Sequence, residues 1–362
     1  MKKALTIISI FAFVAVMFVM ASTTAGAADI IASGECGAEG YKVTWALYSD
    51  GLLVIDGEGK MKNFLSPSSV PWDSLRTQIK SVEIKSGITE IRNYTFYNCY
   101  NIDSVFITDV AAWCGISFST GASNPLTYAH KLYLNNELVT DLVIPDTVTS
   151  ISDLAFTGGD FTSVEIPSSV TSIGEGAFRD CKSITSIEIP SSVTKIGVGA
   201  FAYSDLISIE IPSSVTSVED STFYNCINLS SIKIPSSVTS IGDYAFAICE
   251  NLNSIIIPAS VTSMGNNAFY CSSLHTIHGY FGSYAETYAS SHSLNFVEII
   301  PGDVNSDGEV NNKDVSRLFQ YLSDWNVDVK EIMLDINGDG KVNNRDLTRL
   351  FQYVSGWDVL LN

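Results

Sequence analysis

The chain has 362 residues, of which 39 are acidic and 20 basic, so its formal net charge is −19. A surface this acidic repels phosphate backbones and anionic lipids, so nucleic acid and an anionic membrane are poor partners. The length is enough for one large domain and one small domain.

The N-terminus has the pattern of a secretory signal peptide. A basic start at residues 1–3 precedes an apolar run at 4–21 and the small-residue triplet Ala-Gly-Ala at 25–27. This order predicts cleavage after residue 27 and a secreted protein, extracellular or in a cell-surface complex. A retained membrane anchor is the alternative. No later apolar run approaches the ~20 residues that a spanning helix needs, so no other membrane insertion is expected.

Residues 28–75, which precede a repeated unit, are interpreted as an N-terminal cap. The stretches 42–47 and 52–55 have the apolar patterning of strands, and they are joined at the turn-forming sequence Ser-Asp-Gly at 49–51. A stack of coils has two open ends, and both must be shielded from water and from other chains.

The stretch 108–139 interrupts the repeat and contains Trp113, Cys114 and His130. We interpret this insert as an irregular coil that completes the stack. A ligand-binding loop is the alternative.

From Leu142 to Phe269 the chain repeats a unit of 22 or 23 residues, with a degenerate earlier copy at 82–99. A fixed period in this range predicts a solenoid, in which each coil buries its inner face only against its neighbours. The repeating prolines and phenylalanines are Pro145, Pro167, Pro190, Pro212, Pro235 and Pro258, and Phe156, Phe178, Phe201, Phe223, Phe246 and Phe269.

The repeat itself points to a known family. The core Leu229-x-x-Ile232-x-Ile234 matches the strand of a leucine-rich repeat, and Ile-Pro, Ser-Val-Thr and Ala-Phe recur with it. The array resembles the BspA-type family of bacterial surface leucine-rich-repeat proteins. This resemblance implies a mainly β solenoid. At its C-terminal end, the sequence of residues 281–289 suggests a short helix and that of 296–299 a final strand, which together would cap the stack.

The cysteines follow the repeat rather than a disulfide framework. Seven is an odd number, and four of them stand three residues after a phenylalanine: Cys99, Cys181, Cys226 and Cys249. Recurrence in register predicts a ladder of small buried side chains. A disulfide that involves Cys36 or Cys114 is the alternative.

The last sixty residues contain one twelve-residue pattern twice, starting at Asp303 and at Asp335. Both copies have Asp or Asn at positions 1, 3, 5, 9 and 12 and glycine at position 6, which is the spacing of a Ca²⁺ loop. We therefore expect two Ca²⁺ ions. The expected ligands, with the main-chain carbonyl at position 7, are Asp303, Asn305, Asp307, Glu309, Asn311 and Asp314, and Asp335, Asn337, Asp339, Lys341, Asn343 and Asp346.

Apolar residues after each loop recur at helical spacing, so each loop is expected to lead into a short helix. Asn311 and Asn343 can cap these helices. No amphipathic helix precedes the first loop, because 299–302 is too short and contains Pro and Gly. A duplicated loop-helix without entering helices resembles the type I dockerin domain, which plugs proteins into cohesin domains of cellulosome scaffolds.

This second resemblance implies which residues choose the partner. In such dockerins the choice resides at loop positions 10 and 11 and on the following helix. These places hold Asn312, Lys313, Phe319 and Gln320, and Asn344, Arg345, Phe351 and Gln352. The best-known members have Ser-Thr and Lys-Arg there, so the identity of the cohesin is open.

No pattern for catalysis is present. The sequence has no His-Glu-x-x-His, no Gly-x-Ser-x-Gly and no phosphate-binding glycine loop, and its four histidines lack metal-ligand spacing. We therefore do not expect an enzyme.

Taken together, the sequence predicts a mainly β leucine-rich-repeat solenoid with N- and C-terminal caps, followed by a small all-α calcium-binding dockerin. The expected units are a signal peptide at 1–27, the solenoid at 28–300 with regular repeats at about 140–280, and the dockerin at 301–362. The expected function is a secreted, non-catalytic component of a cellulosome, whose solenoid binds protein or carbohydrate during polysaccharide degradation. The alternatives are an enzyme or inhibitor of plant-polysaccharide breakdown, or a cell-surface adhesin.

Overall fold

The computed structural model describes residues 28–327, 329, 334–337 and 341–361. The expected signal peptide, the expected ligand Asp339 and Asn362 lie outside these residues. The helices are α1 (Val110–Cys114), α2 (Leu126–Ala129), α3 (Tyr284–Ser291), α4 (Asn312–Leu322) and α5 (Asn344–Val354), with 3-10 turns at Pro67–Ser69, Asp73–Gln78 and Gly121–Ser123. Within the described ranges, no helix is both long and apolar enough to cross a bilayer.

The N-terminal cap is an antiparallel meander of β1 (Ile30–Glu35), β2 (Lys42–Tyr48) and β3 (Leu52–Lys60). The two predicted strands are confirmed as β2 and β3, and β1 adds an outer strand that the sequence pattern did not indicate. β3 also pairs in parallel with β4 (Ser81–Ile84), so the meander is continuous with the first coil. Trp72 contacts both Trp45 and Phe96, which joins the core of the cap to that of the coils.

The coils contribute two rows of short parallel strands. The first row contains β4, β6 (Ser104–Ile107), β8 (Leu132–Leu134), β10 (Asp141–Val143), β12 (Ser163–Glu165), β15 (Ser208–Glu210), β17 (Ser231–Lys233), β19 (Ser254–Ile256), β21 (Thr276–Gly279) and β22 (Asn295–Glu298). The second row contains β5 (Ile88–Ile91), β7 (Ser117–Phe118), β11 (Ser150–Ile151), β13 (Ser172–Ile173), β14 (Lys195–Ile196), β16 (Ser217–Val218), β18 (Ser240–Ile241) and β20 (Ser263–Met264). Identical register places apolar residues above one another, as in the pair Ile209 and Ile232.

A column of stacked phenylalanines fills the far side of the coils, as the period predicts. Neighbouring rings lie 5.4 to 5.8 Å apart between centroids and within 12° of parallel. All of them are buried except the last, Phe269, which is half-buried. Tyr288 of α3 meets Phe269 edge-on at 6.0 Å, so the predicted C-terminal helix closes the column.

The chain on either side of each phenylalanine forms a turn with its own hydrogen-bond ladder. Around Phe178, the N–H groups of Gly176, Phe178 and Asp180 donate to carbonyls of the next coil at 2.8 to 2.9 Å. Gly176 and Asp180 both have positive φ, at 57° and 60°. Residues two before and two after the phenylalanine therefore need the left-handed conformation, which favours glycine over other residues.

The Pro-Ser-Ser-Val segments are turns that also link successive coils. The N–H of each valine bonds to the carbonyl of the proline three residues earlier, for example Val170 to Pro167 at 3.1 Å. The second serine donates its hydroxyl to a valine carbonyl of the preceding coil, as from Ser237 to Val215 at 2.7 Å. Four more serines repeat this bond: Ser169, Ser192, Ser214 and Ser260.

The insert at 108–139 is part of the stack. β6 and β8, at its two ends, pair directly in parallel, so the insert occupies the length of one coil. Trp113 of α1 is buried and donates its Nε1–H to the Ala155 carbonyl at 2.8 Å. Asn124 donates to the Leu154 carbonyl, also at 2.8 Å. These contacts favour the interpretation as an irregular coil. A short β9 (Glu137–Leu138) forms a hairpin with β8.

All seven cysteines lie in the described part of the chain, and all are free. Six are buried, including Cys36 and Cys114, so the expected ladder is confirmed and the alternative disulfide is not formed. The thiols of Cys181, Cys226 and Cys249 each donate to the phenylalanine carbonyl of the preceding coil at 3.1 to 3.2 Å. Cys271 is exposed.

A second, separate core lies in the C-terminal segment. Its fully buried members are Val304, Leu318, Leu334, Ile336 and Leu350. This small core brings together one side of α4, one side of α5 and the two loops that precede these helices.

Candidate calcium loops and docking face

The first loop ends at an aspartate that also starts a helix. Asn311 caps α4 by accepting the Lys313 N–H at 2.9 Å, and Asp314 accepts the Asn311 N–H at 2.8 Å, which completes a capping box. The other oxygen of Asp314 accepts the N–H of Asn305 at 3.0 Å. Asp314 is fully buried, so its carboxylate closes the loop from its last position to its third.

The aspartate at the first position of this loop is also buried and hydrogen-bonded. Asp303 is buried, and its two carboxylate oxygens accept the N–H groups of Asp307 at 3.0 Å and Gly308 at 2.9 Å. Gly308 has φ +86°, a conformation that glycine adopts without steric cost. The glycine at position 6 therefore allows the chain to turn around the Asp303 carboxylate.

The interior of the loop contains a polar atom that the protein does not satisfy. The side-chain nitrogen of Asn305 is buried without a hydrogen-bond partner, while its oxygen accepts the Asp307 N–H at 2.9 Å. Asp307 contacts the Lys313 ammonium at 3.0 Å. Carboxylate, amide and carbonyl oxygens are the donors that Ca²⁺ requires, so the residues present fit this ion.

The second loop repeats the geometry of the first where it is described. Asp346 is fully buried and accepts the N–H groups of Asn337 at 3.2 Å and Asn343 at 2.8 Å. Asn343 caps α5 through the Arg345 N–H at 2.9 Å. Asp335 is half-buried and Lys341, whose carbonyl is the expected ligand, is exposed. The expected ligand Asp339 and the adjacent Gly340 lie outside the described residues.

Acidic side chains alone do not make a metal cluster here. Among the described residues, no three His, Cys, Asp or Glu side chains converge on one point. In the first loop Asp303 and Asp314 are buried, whereas Asp307, Glu309 and the rest of the expected set contribute amides, carbonyls or an exposed carboxylate. A cation in this loop would therefore rely on amide and main-chain oxygens as much as on charge.

The two helices leave an apolar groove on the surface. Phe319 of α4 and Phe351 of α5 are each 55% exposed. They lie on either side of a groove of about 470 Å³ whose lining is Val315, Ser316, Phe319, Gln320, Trp325, Leu347, Thr348 and Phe351. Three residues that the sequence assigns to partner binding, Phe319, Gln320 and Phe351, are thus brought together.

The remaining expected partner residues lie elsewhere on the same helices. Asn344, Arg345 and Gln352 line a second, more polar hollow. Asn312 and Lys313 are exposed in the first turn of α4 and are not part of the groove lining. Lys313 instead reaches back to Asp307 of the loop.

Trp325 is a groove residue that the sequence reasoning missed. Its side chain is 60% exposed, and its main-chain N–H donates to the Gln320 carbonyl at 3.1 Å. Trp357 stands at the same place in the second copy, is 61% exposed and bonds in the same way to Gln352. A tryptophan six residues after the exposed phenylalanine in both copies was the available signal.

The described coils, caps and duplicated loop-helix define a repeat solenoid with a small helical module at its C-terminal end. The family model for the BspA type leucine rich repeat region matches in six copies over 74–119, 128–208 and 194–300. The model for the dockerin type I domain matches 301–355. The chain therefore belongs to the BspA-type leucine-rich-repeat family and carries a C-terminal type I dockerin domain.

Type I dockerin domains bind calcium and dock on cohesins in cellulosome-like assemblies, and the solenoid is the part that such docking displays. Both families are typically non-catalytic and typical of extracellular or surface proteins.

Several solved structures are similar to the chain. A leucine-rich repeat protein from Eubacterium ventriosum is 22% identical, with 67% of this chain and 96% of that chain covered and a TM-score of 0.34. A leucine rich cell surface protein from Faecalibacterium prausnitzii is 21% identical, with 75% of this chain and 95% of that chain covered and a TM-score of 0.32. The T. pallidum leucine rich repeat protein is 21% identical, with 60% of this chain and 91% of that chain covered and a TM-score of 0.35. No curated protein matches the chain.

Proposed function

We propose that this protein is a secreted, non-catalytic component of a cellulosome, in which the dockerin binds two Ca²⁺ ions and docks on a cohesin of a scaffold protein. The signal peptide predicted at residues 1–27 supports export. The observation that carries the proposal is the paired arrangement of Asp314 and Asp346. Each carboxylate is buried, closes its own loop and starts the helix whose outer side bears an exposed phenylalanine.

Calcium supplies positive charge that holds the loop oxygens together. In the first loop the ion would be held by Asp303, Asn305, Asp307, the Glu309 carbonyl, Asn311 and Asp314, and in the second by Asp335, Asn337, Asp339, the Lys341 carbonyl, Asn343 and Asp346. Because the C-terminal core has five fully buried apolar residues among those that the structure describes, its folding needs this added stabilisation. Calorimetric titration of the purified chain should give a stoichiometry of two. A value of zero contradicts calcium binding, and a value of one contradicts the second site.

Docking would use the groove between α4 and α5. Phe319 and Phe351 are exposed aromatic side chains, and such residues dominate the binding energy of protein interfaces. The flanking polar positions Asn312, Lys313 and Gln320, with Asn344, Arg345 and Gln352, would select among cohesins. The aromatic groove supplies affinity, and the polar rim supplies discrimination.

The decisive experiment is capture of the full chain by immobilised cohesins from the scaffold, with Ca²⁺ and with a chelator. We expect capture only with Ca²⁺, and at least about tenfold weaker binding for the double variant Phe319→Ala/Phe351→Ala. Phe281→Ala is the matched control, because Phe281 is 76% exposed but lies outside the dockerin. Equal capture in chelator, or equal affinity of the double variant, would contradict this mode of docking.

The solenoid is proposed to bind protein or carbohydrate during polysaccharide degradation. Incubation of the chain with xylan, cellulose, pectin and casein tests the alternative of an enzyme, because turnover that is lost on mutation of strand-face carboxylates would refute a binding-only role. Inhibition of a polysaccharide hydrolase by the chain would identify an inhibitor. Attachment of residues 28–300 to cells would identify an adhesin.

A further inference from the structure

Four tyrosines form a column on the turn side of the solenoid, next to the buried phenylalanine column. The rings of Tyr203 and Tyr224 lie 5.3 Å apart and those of Tyr244 and Tyr270 lie 6.1 Å apart, in edge-to-face contact. Tyr203 and Tyr224 are half-buried, whereas Tyr244 is 38% and Tyr270 56% exposed. The guanidinium of Arg179 covers one end of the column, 4.6 Å from the centre of the Tyr203 ring.

The hydroxyl ends of these tyrosines also interact. Burial raises the pKa of the Tyr224 hydroxyl, and the neighbouring hydroxyls of Tyr203 and Tyr244 raise it further. A hydrogen bond with Cys271 raises the pKa of Tyr270, and Tyr244 and Tyr224 add to the effect. The two ring pairs lie on four successive coils, Tyr203 and Tyr224 on the first two and Tyr244 and Tyr270 on the last two.

Repetition of the coil does not explain this column. Tyr224 and Tyr270 directly follow the coil phenylalanine, Tyr203 follows it by two residues, and Tyr244 precedes it by two. Three unequal places in the repeat thus deliver the same side chain to adjacent points in space. Structural ladders, such as the phenylalanines, use one place throughout.

Two of the tyrosines also occupy places where the backbone favours glycine. Tyr203 has φ +63°, and the equivalent residue of an earlier coil is Gly158. Tyr244 has φ +56°. The equivalent residues in the three preceding coils are Ser221, Gly199 and Gly176. The left-handed conformation belongs to the turn itself, because Leu154, Asp180 and Ile248 also adopt it at these places in other coils. A non-glycine side chain there carries some backbone strain, so replacement by glycine relieves strain without removing the turn.

The surroundings disfavour an anionic ligand. Asp180, Asp220 and Asp243 belong to the same turn segments, and the whole chain carries a net charge of −19. This environment disfavours polyanions such as pectin. Tyrosine presents an apolar ring face together with a hydroxyl that donates and accepts hydrogen bonds, which matches the C–H faces and hydroxyl groups of sugar rings.

The spacing favours a chain-like ligand. Adjacent coils are about 4.8 Å apart, so the four tyrosines span roughly 14 Å along the axis of the stack. One ring per coil is a step close to the length of one pyranose unit in an extended β-linked polysaccharide. A single file of rings suits a polysaccharide better than a proline-rich peptide, which docks into an aromatic-lined groove.

We propose that Tyr203, Tyr224, Tyr244 and Tyr270 form a binding surface for a neutral, extended polysaccharide chain. This inference rests on the carbohydrate-binding option of the proposed function and assigns it to the turn side of the solenoid, rather than to the strand rows or the insert.

The test is affinity electrophoresis of the full chain in gels that contain xyloglucan, mixed-linkage β-glucan, galactomannan or arabinoxylan, with calorimetry on whichever binds. We expect retardation in at least one neutral polysaccharide, and affinity about tenfold lower for Tyr244→Gly and for Tyr270→Ala. Tyr244→Gly relieves the left-handed backbone, so its melting temperature should not fall, which separates loss of the surface from loss of the fold. Phe281→Ala, an exposed aromatic outside the column, should bind like the wild type.

Three outcomes overturn the inference: no retardation by any of the four neutral polysaccharides, unchanged affinity of both tyrosine variants, or tighter binding to a decaproline peptide. The same proteins are tested for calcium-dependent cohesin capture. Capture without polysaccharide binding defeats the inference and leaves docking intact. Polysaccharide binding that depends on Tyr244 and Tyr270 without capture defeats the proposed docking and supports the inference.

Discussion

Replacement of Phe201 by alanine tests whether the phenylalanine column holds the coils together. Phe201 is buried and stacks on Phe178 and Phe223, both at 5.8 Å and within 7° of parallel. Loss of a buried phenylalanine side chain costs about 3–5 kcal/mol, and each aromatic contact adds about 0.5–1.5 kcal/mol. Because each coil touches only its neighbours, one substitution weakens two interfaces, and we expect the free energy of unfolding to fall by about 5 kcal/mol.

Phe269→Ala is the matched control at the end of the column. Phe269 is half-buried and has one parallel neighbour, Phe246, so its removal should cost about 2–3 kcal/mol. Urea unfolding followed by circular dichroism in calcium-containing buffer measures both variants, and cohesin capture reports on the dockerin in the same samples. If Phe201→Ala costs no more than Phe269→Ala, the column does not couple the coils as described.

Four further results are expected. Ca²⁺ at about a hundred times its dissociation constant should stabilise the dockerin by about 2.7 kcal/mol for each occupied site. Melting with and without chelator should show a smaller calcium-induced shift for Asp314→Ala, and an unchanged shift would exclude this residue as a ligand. A thiol reagent should modify Cys271 alone in the native protein and all seven cysteines after unfolding. Burial raises the pKa of the Cys36 thiol from 9.0 to about 12, so its contribution to stability should be complete below pH 9 and lost as pH rises toward 12, which alkaline unfolding would measure. Gly242→Ala places a Cβ 2.5 Å from the Asp220 main-chain nitrogen, so we expect the free energy of unfolding to fall by about 1–3 kcal/mol. A melting temperature that does not fall would contradict this close approach.

The parts of the fold that could be predicted from the sequence are those that recur in every repeat. The spacing from Phe156 to Phe269 fixes one place in every coil, so each copy supports the inference of a stacked column. β1 could not be predicted in this way, because it occurs once and its residues are almost all exposed, so it lacks the apolar alternation that marks β2. The tyrosine column was also missed, since its members have no common place in the repeat and meet only after the chain is coiled.

The candidate site shows the same division. Spacing alone indicated Asp314 and Asp346 as last-position ligands, and the helix caps at Asn311 and Asn343 follow from residue type. Their assignment to Ca²⁺ stays a prediction. The contact of Lys313 with Asp307 and the position of Trp325 in the groove depend on side-chain direction and on how α4 packs against α5, which no spacing rule contains.

Because each coil contacts only its neighbours, the solenoid can change its length between relatives by whole repeats. A complete unit of 22 or 23 residues begins and ends in the same register, so its removal or duplication rejoins identical surfaces. Each such event would shorten or lengthen the rod by one step of about 4.8 Å. The meander at one end and the α3 helix at the other would remain as they are. Evolution can thus adjust the length of the solenoid in whole increments, without altering the dockerin domain that follows it.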